Sequence, residues 1–405
     1  MTLSPLRTFL IVMALWCAGL GAAAQFAKMS VMFDLLTAAY PGRGPGIGFM
    51  VSVVGLVGLV FGTTAGLLVQ RAGYRRVLVA ATTLGALMSA LQATMPGFGM
   101  MMASRIAEGA SHLAVVVAGP VLIAQVTPLR RQGLAMTLWA SFFGVSFAVT
   151  AWAGLPLAET YGPAALFAAH AGVMALLAVV LWHLLPRDVA APGLQPITLA
   201  SVLRQHRTIY ASPFIAAPAL GFVFYTLIYV AVLTLLPPLL PTAQRGVAAS
   251  GMPLISIAVS LTLGVALLKH MQAYRLVQLG LALTLLCSLG LGVSWGTGAA
   301  LVAALALASA LGLVQGASFA SIPQLNQSAG ARAMASGAVA QMGNLGTTTG
   351  TPLLAWLLVH FGISGLVGFL ILFPALGIAV HTLQARRRNH RLKAQGQTMS
   401  TEDFL

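Results

Sequence analysis

The chain has 405 residues, 59% of them hydrophobic and 7% charged, with a net charge of +15 and a mean hydropathy of +0.94. A water-facing domain carries about 25% charged residues, so soluble enzymes and disordered chains are excluded and an integral membrane protein is left. The apolar runs are continuous rather than alternating, which argues against a β-barrel, and the basic balance belongs to loops at a membrane surface rather than to a nucleic-acid partner.

Twelve apolar segments follow one another, each long enough to cross a bilayer as a helix of about 20 residues. The first, 7–36, opens with Arg7 and carries Ala22-Ala23-Ala24, which imitates a signal-peptide cleavage site. Its apolar character continues to Leu36, so an uncleaved first helix is predicted. It holds Lys28 and, toward its outer end, Asp34. Segments 46–69, 76–95, 98–127, 133–158 and 162–185 complete a first set of six. Residues 186–207 are polar, and Ile197 to Arg207 has the pattern of a short amphipathic helix whose arginines suit anionic headgroups. Segments 208–240, 247–268, 274–295, 298–325, 333–360 and 362–384 form a second set. The predicted organisation is a six-helix bundle over 1–185, a cytoplasmic loop over 186–207, a second bundle over 208–385 and a basic tail over 386–405.

Charge placement tests this count. With the N-terminus in the cytoplasm, 17 of the 21 Lys and Arg residues fall on the cytoplasmic side, including Arg71, Arg75, Arg76 and the tail cluster Arg386 to Lys393. Arg43 and Arg245 fall outside, and Lys28 and Arg105 lie within helices. Positive charge accumulates on cytoplasmic loops. A multi-pass protein of the cytoplasmic (inner) membrane with both termini inside is therefore expected. The halves also echo each other. Glu108-Gly-Ala-Ser111 on helix four matches Gln315-Gly-Ala-Ser318 on helix ten at an offset of 207 residues, as internal repeats of transporters do. Cys17 and Cys287 sit in separate apolar runs, and no disulfide framework or metal motif is indicated. No cofactor is expected.

Charges inside a membrane cost a few kcal/mol each, by even the gentlest insertion scale, and so point to function. Of the six acidic residues, only Asp34 and Glu108 lie in helices. Arg105, Glu108 and His112 are spaced by three and four, within about 60° of one helix face, and Lys28 on helix one shares their depth. Glu108 is expected to be the protonation site, since burial and the neighbouring cations act on a carboxyl in opposite directions; His112 is the second candidate. A permanent pair of Glu108 with Arg105 or Lys28, or direct gripping of a charged solute, are the other readings. Gln25, Tyr225, Tyr229, Gln315, Ser318, Gln341 and Asn344 are candidate contacts for a small-molecule solute, with interhelical hydrogen bonding as the alternative for each. His170, midway along helix six, reads as a histidine satisfied by a neighbouring helix. Gly58, Gly62 and Gly66 on helix two, and Gly343, Gly346 and Gly350 on helix eleven, allow close backbone approach. Such stripes serve a rocking interface or static packing alike.

The loop after helix two reads Gly66-Leu-Leu-Val-Gln70-Arg71-Ala-Gly73-Tyr74-Arg75-Arg76. It resembles the signature of the major facilitator superfamily, with Gln70 where that family has Asp. Arg105-Ile-Ala-Glu108-Gly109 on helix four is similar to a second element of the family. The antiporter motif of helix five is absent. The resemblance implies an all-α fold of twelve transmembrane helices in two pseudo-symmetric six-helix bundles around a central cavity. It also implies that Gly66, Gln70, Arg71, Gly73, Arg75 and Arg76 form a conformational latch, and that helices two and eleven pack across the interface of the bundles. The function it implies is a monomeric secondary transporter working by alternating access. No nucleotide-binding loop is present, and protons are the expected coupling ion. Export of a small amphipathic solute is favoured slightly over proton-coupled uptake, and a non-transporting receptor or scaffold of transporter ancestry is the remaining alternative. An enzyme is not expected, because no convergent nucleophile or metal set is present.

Overall fold

The computed structural model describes residues 4–128, 131, 135, 136, 138, 139, 141–188 and 198–394, without the side chains of Leu67, Gln70, Leu199 and Ala329. The predicted start of helix five and residues 189–197 of the central loop lie outside these residues. Among those described, ten helices are long and apolar enough to cross a membrane. The pair Gly44–Ser52 and Gly55–Phe61, bent by 57°, supplies another span. The longest helix, Ala329–Ala394, is two helices joined at Gly362 (φ 55°, ψ −138°). The total is thus twelve spans, and the chain is an all-α polytopic membrane protein.

Local chemistry sets several boundaries. Ser4 caps the first helix, its Oγ accepting from the Arg7 amide at 3.3 Å, with Pro5 opening the helix; proline fits the first turn because its missing N–H has no partner there. This helix runs Pro5–Val31, and a second short helix, Phe33–Ala39, follows. The predicted single segment 7–36 is therefore broken at Met32, and Asp34 is exposed in the short helix. Positive-φ residues close comparable turns in both halves: Gly162 between spans five and six and Gly362 between eleven and twelve, Met95 between three and four and Gly296 between nine and ten. A π-helical turn interrupts span five at Thr150–Gly154 and span eight at Ser260–Gly264.

The chain divides into two compact units, Met1–Gln195 and Pro196–Leu405. The division falls inside the predicted 186–207 loop. In the first unit, span one packs against spans four, five and six, around a core that includes Ile11, Leu15, Leu78, Val115 and Leu181. In the second, span seven packs against spans eight and ten and the long eleven–twelve helix.

The glycine stripe of helix eleven faces its own unit. A Cβ on Gly343 would meet Phe222, one on Gly346 would meet Thr226 and the Val223 carbonyl, and one on Gly350 would meet the Leu227 carbonyl. All of these belong to span seven of the same unit, so the stripe serves packing inside the bundle. The predicted tail begins inside a helix. Residues 386–394 continue helix twelve. Arg388 is 1% exposed, donates to the Pro213 carbonyl at 3.2 Å and lies over the Tyr274 ring at 4.8 Å. It packs span twelve rather than lying on a lipid surface. The amphipathic helix forms at Leu199–Ala211, with a capping box between Thr198 and Ser201.

Candidate functional site

Helix four, Phe98–Val126, crosses the first unit with Arg105, Glu108 and His112 on one buried face. Lys28, Arg105 and Glu108 are all 0% exposed. Lys28 Nζ donates to Glu108 Oε1 at 2.6 Å, and Arg105 Nη1 donates to Glu108 Oε2. The cations thus hold one carboxylate oxygen each. Helix three, Tyr74–Ala93, adds two polar side chains: Gln92 Nε2 donates to Glu108 Oε2 at 2.9 Å and to Ser104 Oγ at 3.1 Å, and Ser89 Oγ accepts from Lys28 at 2.6 Å. Helix six, Pro163–Leu184, adds His170. Its Nε2 donates to the Gly21 carbonyl at 2.9 Å. That fixes Nδ1 of the neutral ring as an acceptor, 2.7 Å from Ser89 Oγ and 3.3 Å from Lys28 Nζ. The Phe167 ring, one turn back on helix six, lies 5.5 Å from the ammonium.

Arg105 has a second role. Its Nε donates to the Met50 carbonyl at 2.7 Å and its Nη2 to the Val51 carbonyl at 3.3 Å. These carbonyls lie in the last turn of Ile47–Ser52, where span two bends. The last four carbonyls of a helix have no partner within it, and a cation at that end is favoured. The arginine therefore caps the bend while neutralising the carboxylate. Gly109 allows this approach, because a Cβ there would collide with the Val54 carbonyl.

The remaining sequence candidates fall in different places. Gln25 is 0% exposed, donates to Ser111 Oγ at 2.9 Å, and its Oε1 is buried with no partner; Gln92 Oε1 is likewise unpaired. His112 Nδ1 donates to the Ala22 carbonyl at 2.9 Å. Its ring meets Phe26 edge-on at 5.0 Å, and Phe26 leads to Phe143 and Phe147 of span five. In the second unit, Tyr225 and Tyr229 stack at 5.0 Å in a ladder that begins at Phe222 and touches Phe319 of span ten. Ser318 bonds its own helix at the Val314 carbonyl, 2.7 Å away, Gln315 is half-buried, and Asn344 bonds the Ala340 carbonyl at 2.7 Å. Gln341 makes interhelical hydrogen bonds. Its Oε1 accepts from Tyr210 at 2.7 Å and its Nε2 donates to His206 Nε2 at 3.0 Å, so it ties helix Leu199–Ala211 to span eleven.

The loop after span two is built around Gly73 (φ 92°). Asp188 reaches it from beyond span six. Its Oδ1 accepts from the Arg75 amide at 2.9 Å and its Oδ2 from the Arg76 amide at 3.1 Å. A Cβ on Gly73 would collide with this carboxylate. The Arg75 guanidinium donates to the Trp182 carbonyl at 2.5 and 3.1 Å and stacks on the Trp182 ring at 4.4 Å. Gly66 faces open space, Arg71 is exposed, and the Gln70 side chain lies outside those described. The latch candidates Gly73, Arg75 and Arg76 thus join span three to the end of span six.

Ser89, Gln92 and His170 complete the charge cluster without having been singled out for it. A signal for two of them was present: Thr82, Ser89 and Gln92 share one face of helix three, at spacings of seven and three.

The comparisons agree with this architecture. A family model described as Major Facilitator Superfamily matches residues 8–330. No curated protein matches the chain. Among solved structures, a D-xylose-proton symporter superposes with a TM-score of 0.71 at 16% identity, covering 93% of this chain and 97% of that one. A bacterial homolog of the human lysosomal transporter Spinster, in an inward-facing and occupied conformation, superposes with a TM-score of 0.75 at 12% identity, covering 95% and 98%. At such identities the likeness is one of fold. With the family model spanning most of its length, the chain belongs to the major facilitator superfamily, as a secondary transporter and not an enzyme.

Proposed function

We propose that this transporter moves a small amphipathic organic solute by alternating access, coupled to protons through the buried cluster of Lys28, Arg105, Glu108 and His112, in the direction of export. The observation that carries the reading is the cluster itself. Three ionised side chains are sealed at 0% exposure inside a bundle that crosses a membrane. Desolvating them costs several kcal/mol per ion, and a purely structural core would be cheaper with apolar residues of similar volume. The aromatic groups Phe26, Phe143 and Phe147 in one unit, and Phe222, Tyr225 and Tyr229 in the other, favour a solute with an apolar body. We read the protein as lying in the cytoplasmic membrane with both termini inside, following the positive-charge asymmetry of its loops, and as working as a monomer.

The test is proton flux in everted vesicles with acidified lumens, challenged with amphipathic drugs, sugars and organic acids. Wild type is compared with Glu108→Gln, and folding is checked by size-exclusion chromatography. Dissipation of the gradient by a compound with wild type alone is the expected result. Equal flux from a folded Glu108→Gln variant would remove the cluster from coupling. If no compound acts, export of these classes is refuted, and uptake in right-side-out vesicles becomes the competing reading.

A further inference from the structure

We infer that, within this cluster, the exchangeable proton is held by Lys28, and that Glu108 remains a carboxylate throughout the cycle. The inference rests on the proton-coupled reading and identifies the group that does the work.

Hydrogen-bond capacity is the first argument. An ionised carboxylate only accepts, and a protonated one must also donate. Lys28 points an N–H and Ser89 its O–H at Oε1, the hydroxyl at 3.2 Å, while Arg105 and Gln92 point theirs at Oε2. A proton on either oxygen would face a donor already in place. Lys28 has no such obstacle. As an ammonium it donates to Glu108 Oε1, Ser89 Oγ and His170 Nδ1. As an amine it still donates to Glu108 and His170, while its lone pair accepts the Ser89 hydroxyl hydrogen. The Ser89 hydroxyl turns from Glu108 Oε1 and His170 Nδ1 to Nζ, and each of those two acceptors keeps an N–H from Lys28.

Charge is the second argument. With every group ionised, two cations share one carboxylate, an excess of one positive charge at 0% exposure. Among the described residues no other carboxylate offsets it: Asp34 and Glu159 are exposed, and Asp188 caps span three. Releasing the Lys28 proton leaves the neutral pair Arg105–Glu108, the state that costs least to bury. Protonating Glu108 instead would leave two buried cations with no counter-charge. The other titratable groups facing Lys28 make the same point. His170 on span six and His112 on span four are each donors at one nitrogen, to Gly21 and Ala22. A second proton on either would add a third cation. Spans two and three contribute no charge to the cluster, only the Met50 and Val51 carbonyls, Ser89 and Gln92. The step balances simply: Nζ gives its proton to water when the cluster is wetted and regains one the same way, with no bond broken but N–H.

The chain makes this testable, since Lys28, Lys269 and Lys393 are its lysines and Glu108, Glu159 and Glu402 its glutamates. The full-length wild type, labelled with 15Nζ-lysine and 13Cδ-glutamate, is placed in lipid nanodiscs and titrated by NMR from mildly acidic to mildly alkaline buffer. Lys269→Arg and Lys393→Arg, at exposed positions, assign the lysine signals, and Glu159→Gln and Glu402→Gln assign the glutamates. The expected result is a shift of the Lys28 signal from ammonium to amine with the Glu108 signal fixed as carboxylate. A shift of Glu108 with Lys28 fixed as ammonium overturns this inference and leaves proton coupling intact. If neither signal shifts across the range, both fail.

Discussion

Helix four carries Arg105, Glu108, Ser111 and His112; helix ten, 207 residues on, carries Gly312, Gln315, Ser318 and Phe319. The backbones are used alike. A Cβ on Gly109 would strike the Val54 carbonyl of span two, and one on Gly312 the Ser256 carbonyl of span eight, in each case the second helix of its own unit. The side chains are used differently. The first unit binds its helices with a buried charge network, whereas the second has an aromatic ladder from Phe222 to Tyr229. Between residues 189 and 401 the sequence holds no Asp or Glu at all. A repeated scaffold thus leaves the interior free to diverge, because close helix packing depends on small residues, while polar chemistry depends on a few positions that face inward.

Four predictions bear on that comparison. The largest effect belongs to the charged unit. Glu108→Gln strands Lys28 and Arg105 without a counter-charge and should lower stability by about 3–5 kcal/mol. The matching change Gln315→Ala should cost about 0.5 kcal/mol or less. Thermal unfolding in nanodiscs measures both, and equal losses would break the contrast. Next come Gly109→Val and Gly312→Val, each driving a side chain into a carbonyl. Similar losses of about 1–3 kcal/mol are expected, and a loss in one unit alone would refute the shared scaffold. Gly73→Ala should cost about 1–3 kcal/mol from its backbone conformation. Asp188→Ala should remove less, since it breaks two capping hydrogen bonds while the Arg75–Trp182 stack survives.

A modest effect is expected for Tyr210→Phe, about 0.5–1.5 kcal/mol for one hydrogen bond to Gln341. Burial pushes the Tyr210 hydroxyl up to about 12. A tyrosine ionises near ~10 when unfolded, so this contact is fully present below that value and is lost as pH rises through about 12. Protection of the Leu199–Ala211 amides against hydrogen exchange, followed with pH, reads it directly.

Much of the molecule was legible in one dimension. Bilayer thickness converts directly into helix length, so twelve spans, the polar break after the sixth and an amphipathic helix over 197–207, found at Leu199–Ala211, could be read from hydropathy and charge. Arg105, Glu108 and His112 were legible as a set because 3.6 residues per turn places them on one face. Which groups complete that face was decided only by the fold. Lys28, Ser89 and His170 are separated by 61 and 81 residues in sequence, and no local pattern states that they meet. The same holds for the glycines of span eleven, whose spacing announces a close approach but not that span seven is the neighbour. Gln341 and Arg388 show the limit most plainly. Each has the composition of a cavity or surface residue, and each is held by a helix that folds back more than a hundred residues away. Hydrophobic length is a property of a segment, whereas hydrogen-bond partnership is a property of the packed bundle, and only the latter decides what the buried charges can do.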